Sequence, residues 1–290
     1  MKALGKLVGV LVTFGVAWNV YSHWQSHRVA TLIDQGVHNI YRRDYEAAAA
    51  KLESAVQLRP DSAEGQDALG VAYQNLGRTN EAEACYWAAV RANPCLADAH
   101  FNLGVLYRDQ KNYEACFQQL DEAIHFNPNN VDALCYEGLA HADLGHFDEA
   151  IRLLKRAIDC DADSFLAWFA LGYVQFNLGS FSDAAMAYTH ATLIQPDHPE
   201  ALCYLGHAYF KLNRYQKAAY DYQRAIHYRP DYAIAHYFLG MSWLAMHDEE
   251  SALIECEKLK GMDRDLAEKL SLNIHDDGQQ TPEPFLRLPG

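Results

Sequence analysis

The chain has 290 residues, half of them hydrophobic and 12% aromatic, which suits a folded body and argues against disorder. Its formal charge of -14 repels phosphate backbones and argues against nucleic acid as a partner. No CxxC, CxxCH, glycine-rich phosphate loop, nucleophile elbow or HExxH occurs, so redox, haem, nucleotide and hydrolytic chemistry have no motif to stand on.

In chain order the first element is an apolar run from Leu7 to Tyr21, preceded by Lys2 and Lys6 and followed by Trp18, Tyr21 and Trp24 at the height of a lipid interface. Its length is marginal for a hydrocarbon core of roughly 30 Å. Residues 1–24 therefore read as an uncleaved membrane anchor or a cleaved signal peptide, with Gly15, Val16 and Ala17 as the candidate cleavage site. The anchor is preferred, because the residues beyond stay apolar and aromatic; a buried helix of the soluble body lacks the amphipathic period. With Lys2 and Lys6 before the run and only Arg28 close behind it, the N-terminus is expected in the cytoplasm and the remainder on the non-cytoplasmic, periplasmic side of a single-pass protein.

After a linker at 25–28 a pattern sets in that is clearest at Ala97–Asn130. Leu103, Gly104, Tyr107, Tyr113, Cys116, Leu120, Ala123 and Pro128 mark two amphipathic helices, Asp98 to about Arg108 and Tyr113 to about Phe126, around the polar turn Gln110–Asn112. Pro128 stops the second helix, and Asn129 or Asn130 can cap the next. A glycine recurs at Gly36, Gly70, Gly104, Gly138, Gly172, Gly206 and Gly240, each 34 residues after the last. Inside a helix a glycine costs roughly 1 kcal/mol against alanine, so a fixed step implies a partner helix passing too close for a Cβ. Small residues keep the same phase at Ala48, Ala82, Cys116, Ala150, Ala184, Ala218 and Ala252, and again at Ala55, Ala89, Ala123, Ala157, Ala191 and Ala225, where Leu259 breaks the series. This pattern resembles the tetratricopeptide repeat family, in seven repeats over 29–264. The resemblance implies an all-α solenoid, a right-handed superhelix of helix pairs whose first helices line an inner groove.

The seven cysteines are an odd number for an oxidising compartment, although Cys116 and Cys256 take core positions of the repeat and read as small buried hydrophobes. Cys203 and His207 share a helix face at i and i+4, a pair too small to make a metal site. The fourteen histidines show no catalytic spacing; His100, His141 and His236 take slots of packed aromatics. The chain therefore reads as a protein that is not an enzyme and needs no cofactor or metal.

By the resemblance, the lining slots lie three before each repeat glycine and one, four and five after it. They hold Phe101, Val105 and Arg108 in the third repeat, Leu139 in the fourth, Phe169, Tyr173 and Phe176 in the fifth, His207 and Phe210 in the sixth, and Tyr237 and Met241 in the seventh. Most are aromatic or aliphatic, which points to an apolar helix or peptide of a partner protein as ligand, unless these side chains bury one another. Only Arg108, Lys211, Asn75 and Asn177 could clamp a carboxylate, against the pattern of the family's chaperone-tail binders. A capping helix over 265–274 is expected from Leu266, Leu270 and Ile274, and then a mobile tail over 275–290 that ends in the apolar cluster Phe285, Leu286 and Leu288. The reading is a non-catalytic scaffold or assembly factor of the cell envelope, with a permanent subunit of a membrane complex as the alternative.

Overall fold

The hydrophobic period of the repeat demands short helices in antiparallel pairs, and the computed structural model, which describes residues 23–275, contains only helices, turns and loops there. The chain divides after Pro128 into two units. The first comprises α1 (23–41), α2 (Tyr45–Leu58), α3 (Ala63–Asn75), α4 (Thr79–Ala92), α5 (Ala97–Asp109) and α6 (Tyr113–Phe126). The second comprises α7 (Val131–Asp143), α8 (Phe147–Cys160), α9 (Phe165–Asn177), α10 (Phe181–Ile194), α11 (Pro199–Lys211), α12 (Tyr215–Tyr228), α13 (Ala233–Ala245), α14 (Glu249–Lys260) and α15 (Arg264–His275). Residues 25–28, expected as a linker, are helical: Gln25 Nε2 donates to Leu58 O and Arg59 donates to Ser26 Oγ, so the start of α1 is tied to the end of α2. Among the described residues no helix is long and apolar enough to cross a membrane. The expected anchor, apart from residues 23 and 24, and the expected tail beyond His275 lie outside them.

Each odd-numbered helix through α13 pairs with its successor, and the repeat glycine is where the two touch. A Cβ on Gly70 would stand 2.5 Å from Tyr86, on Gly104 2.6 Å from Leu120, on Gly172 2.7 Å from Tyr188 and on Gly206 2.8 Å from Tyr222. The large side chain sixteen residues after each glycine thus crosses over a bare backbone. The two series of small residues are fully buried beside it, at Ala48 to Ala252 and at Ala55 to Ala225. In the last pair that crossing position is Cys256, too small to fill the space, and Leu270 of α15 lies over Gly240 instead. The cap is therefore held by the void that one cysteine leaves, with Leu270, Ala267 and Ile274 buried on α13 and α14.

Two further features recur with the repeat. Gln66, His100, Trp168 and His236 occupy one repeat position, and each places a side-chain nitrogen 2.9–3.0 Å from the carbonyl oxygen six residues earlier, on Pro60, Pro94, Ala162 and Pro230. Three different side chains thus satisfy the same orphan carbonyl at a helix-pair junction. The turn inside each pair carries one left-handed residue, at Arg43, Gly77, Lys111, Gly145, Gly179, Asn213 and His247. Only three of these are glycine, and a side chain with a Cβ in that region costs roughly 1–2 kcal/mol. Lys111→Gly is expected to stabilise the chain by about 0.5–1 kcal/mol after glycine's extra chain entropy is subtracted, read as a higher urea midpoint at unchanged slope.

Candidate functional site

The lining slots sort by depth once the helices are in place. Phe101, Val105 and Arg108 on α5, with Tyr173 on α9 and Phe210 on α11, are half-buried. Leu139, Phe169, Phe176, His207, Tyr237 and Met241 are buried in the second unit's core, against the expectation of an open apolar wall. Their neighbours supply the reason. Phe169 meets Tyr204 edge-on with ring centroids 5.3 Å apart, Phe176 packs on His207 at 5.2 Å, and His207 meets Phe238 edge-on at 4.4 Å. Large rings at these slots bridge α9 to α11 and α11 to α13 instead of facing a ligand. Burying each phenylalanine contributes about 1.5–3 kcal/mol, so a ring that can reach the next helix does so.

His207 is 0% exposed. Burial among rings and the nearby Lys211 charge push its pKa down to about 3, so it is a neutral core residue. Its Nδ1 lies 3.5 Å from the Tyr222 hydroxyl. The neighbouring Cys203 thiol is pushed up to about 12 by burial, which keeps it protonated and unsuited to bind metal. Among the described residues no group of three or more His, Cys, Asp or Glu is placed to hold a metal ion. Cys95 and Cys160 are exposed, and the other five cysteines are buried.

In the first unit the slots are shallower. Ile33 and Val37 on α1, Val71 on α3, and Phe101 and Val105 on α5 are all half-buried. They run beside an acidic margin. Asp67 Oδ1 accepts a 2.9 Å hydrogen bond from Asn102 Nδ2, joining α3 to α5. Burial lifts the Asp67 carboxyl to about 6; the Asn102 bond opposes the rise, and the negative charges of Asp98 and Glu64 add to it. Those two carboxylates therefore share the face of Asp67. Tyr86 crosses Gly70 from α4 and its hydroxyl donates to Gln74 Oε1, 2.7 Å away, in another slot of α3. Asp67 and Gln74 already stood among the slots; the exposed Glu64 and Asp98 did not, although both sit six residues before their repeat glycine.

Outside the slots the second unit carries an apolar stripe that the slot pattern does not announce. Met186 on α10, Tyr220 on α12 and Ile254 on α14 are 58%, 62% and 52% exposed, and each stands 34 residues after the last.

These features define an all-α helical-hairpin repeat protein. Residues 63–94, 97–130 and 137–199 match the family described as tetratricopeptide repeat, and 206–242 match the one described as TPR repeat; the chain carries tetratricopeptide repeats. The fold is similar to that of pilF from Pseudomonas aeruginosa, at 17% identity and a TM-score of 0.65, covering 74% of this chain and 99% of that one. A tetratricopeptide repeat protein from Parabacteroides merdae is similar at 17% identity and 0.61, covering 86% and 99%. A chain of the APC/C hetero-tetramer Cut9-Hcn1 is similar at 18% identity and 0.67, covering 85% of this chain and 48% of that one. No curated protein matches the sequence.

Proposed function

We propose that the chain is a non-catalytic interaction scaffold of the cell envelope, tethered by residues 1–24 with its repeats on the periplasmic side, and that it holds an apolar segment of a partner protein on the lining face. Tetratricopeptide-repeat proteins are in general protein-interaction scaffolds, which supports the broad reading. The observation that carries the narrower one is the depth of the slots. In the second unit most of the lining side chains are spent on the core, whereas Val71, Phe101 and Val105 of the first unit are half-buried at corresponding positions. The partner's segment thus lies on α1, α3 and α5 of the first unit.

Photocrosslinking in cells tests this. A photoreactive residue at Phe101 is expected to capture one partner reproducibly, and the same residue at the buried Phe169 to capture none. Equal capture from both positions, or none from Phe101, removes the assignment.

A second reading, a permanent subunit of a membrane complex, draws on Met186, Tyr220 and Ile254, because an in-register apolar stripe suits a lasting contact. It predicts a partner in fixed ratio after purification in mild detergent, where the first reading predicts the chain alone.

A further inference from the structure

The lining face of α3 and α5 bears an imbalance of charge that nothing in the first unit relieves. These two helices carry four carboxylates, Glu64, Asp67, Asp98 and Asp109, and a single cation, Arg108, next to Asp109. Among the described residues no lysine or arginine forms an ion pair with Glu64, Asp67 or Asp98. In the second unit the same repeat position carries two acids: Glu200, four repeats after Glu64, is paired with Arg229, and His198 Nδ1 lies 3.3 Å from it, whereas Asp132 forms no ion pair with a lysine or arginine among the described residues. On the same helix faces as the acids, at i+4 from Asp67 and at i+3 and i+7 from Asp98, lie the half-buried Val71, Phe101 and Val105.

We propose that the lining face of α3 and α5 receives a basic, apolar peptide segment of a partner protein, in which Lys or Arg alternates with aliphatic residues. The proposal rests on the function inferred above and names the chemistry of its ligand. The aliphatic side chains lie on Val71, Phe101 and Val105, and the cations meet Glu64, Asp67 and Asp98. Complementary charge adds specificity and association rate to what apolar contact alone provides. The groups facing Asp67 are the Asn102 amide, the Asp98 and Glu64 carboxylates and, from α4, the Tyr86 hydroxyl; none is a cation, so a bound cation favours its ionised form. Binding therefore releases a proton from Asp67, and affinity rises as pH passes upward through about 6.

The test uses the full chain in an uncharged detergent and three fluorescent peptides with one aliphatic pattern, interleaved with Lys, Ser or Glu and read by anisotropy. The Lys peptide is expected to bind about tenfold or more tighter than the Ser peptide, to weaken with salt, and to lose about tenfold in the double variant Glu64→Gln, Asp98→Asn. Those exposed carboxylates can be exchanged without disturbing the core, and unchanged helicity of the variant checks that. Equal binding of the Lys and Ser peptides overturns the charge assignment and leaves the apolar groove standing. Failure of all three peptides overturns both. A tenfold gain for the Lys peptide on deletion of residues 282–290 would transfer the site to the chain's own Phe285–Leu288 stretch and overturn its assignment to a partner.

Discussion

Gly172→Leu is expected to cost at least about 3 kcal/mol and to separate α9 from α10. A Cβ alone at this position would lie 2.7 Å from both Cδ1 and Cε1 of Tyr188, and leucine adds three more carbons in the same direction. Tyr188 cannot retreat, since it is fully buried and packed on Phe169 and Tyr204. The same logic ranks the alanine variants. Gly138→Ala is the mildest of the series, because its Cβ would stand 3.0 Å from Leu154 Cγ and 3.2 Å from the Ala150 carbonyl oxygen, a tight fit that small shifts accommodate. Gly70→Ala, 2.5 Å from the Tyr86 ring, is far more severe. Chemical unfolding of the three variants, followed by helical signal, checks the order. Alanine's gain in helix propensity, about 1 kcal/mol, is common to both, so equal outcomes for Gly138→Ala and Gly70→Ala would show that close approach does not set the order.

That glycine series was the most legible part of the sequence, because a fixed spacing reports backbone proximity directly. The helix limits followed from it: Ala97–Asp109 and Tyr113–Phe126 fall within a residue of the spans read from apolar period and turn residues. The depth of the slots was not legible. Slot position says which way a side chain leaves its helix, but Phe169 and Phe176 are buried because Tyr204 and His207 on α11 are within their reach, and that depends on residues 31 and 35 positions away in the chain. The left-handed turn positions were hidden for another reason: Arg43 and Lys111 are poor residues for that conformation, held there by the helices on either side. The role of Leu270 could have been found, since Cys256 stands where the other repeats have leucine or tyrosine and some other side chain must fill the space. The acidic margin was half visible, with Asp67 among the slots; its lack of a counter-charge needed the coordinates.

His236→Ala is expected to cost about 3 kcal/mol at pH 5.5 and clearly less at pH 8.5, because the bond it removes exists in full only over a limited pH window. His100 and His236 occupy the same repeat position, and both direct Nε2 to a proline carbonyl oxygen, on Pro94 and Pro230. A carbonyl can only accept, so Nε2 carries a proton in each. At His100 the partner of Nδ1 is the side-chain amide of Gln119, 2.9 Å away, which can turn its NH2 toward an unprotonated nitrogen. At His236 the partner is the carboxylate of Glu255, 2.5 Å away, which can only accept. One residue, Gln or Glu, thus decides whether Nδ1 meets a group that can donate or one that can only accept. Burial works most strongly against that charge, but the hydrogen bonds to Glu255 and Pro230 and the Glu255 charge outweigh it, and the His236 pKa is raised above 6.5. Burial likewise disfavours the Glu255 carboxylate, and the bonds from His236 and Lys258 outweigh it, so its pKa is lowered below 4.5. The signs then fix the window. The histidine's contribution is complete below 6.5, its unfolded value, and is lost as pH rises through its folded pKa; the glutamate's is complete above 4.5 and is lost as pH falls through its folded pKa. Both are whole between about 4.5 and 6.5. Lys258 still neutralises Glu255 in the alanine variant, which keeps the loss at the low end of what breaking a buried pair costs. Glu255→Gln supplies the second arm: it makes this site resemble that of His100, so the packing stays and the pH-dependent share disappears. Unfolding midpoints of the wild-type chain and both variants at pH 5.5 and 8.5 carry the decision, and a His236→Ala loss equal at the two pH values would show that the ring contributes by packing alone.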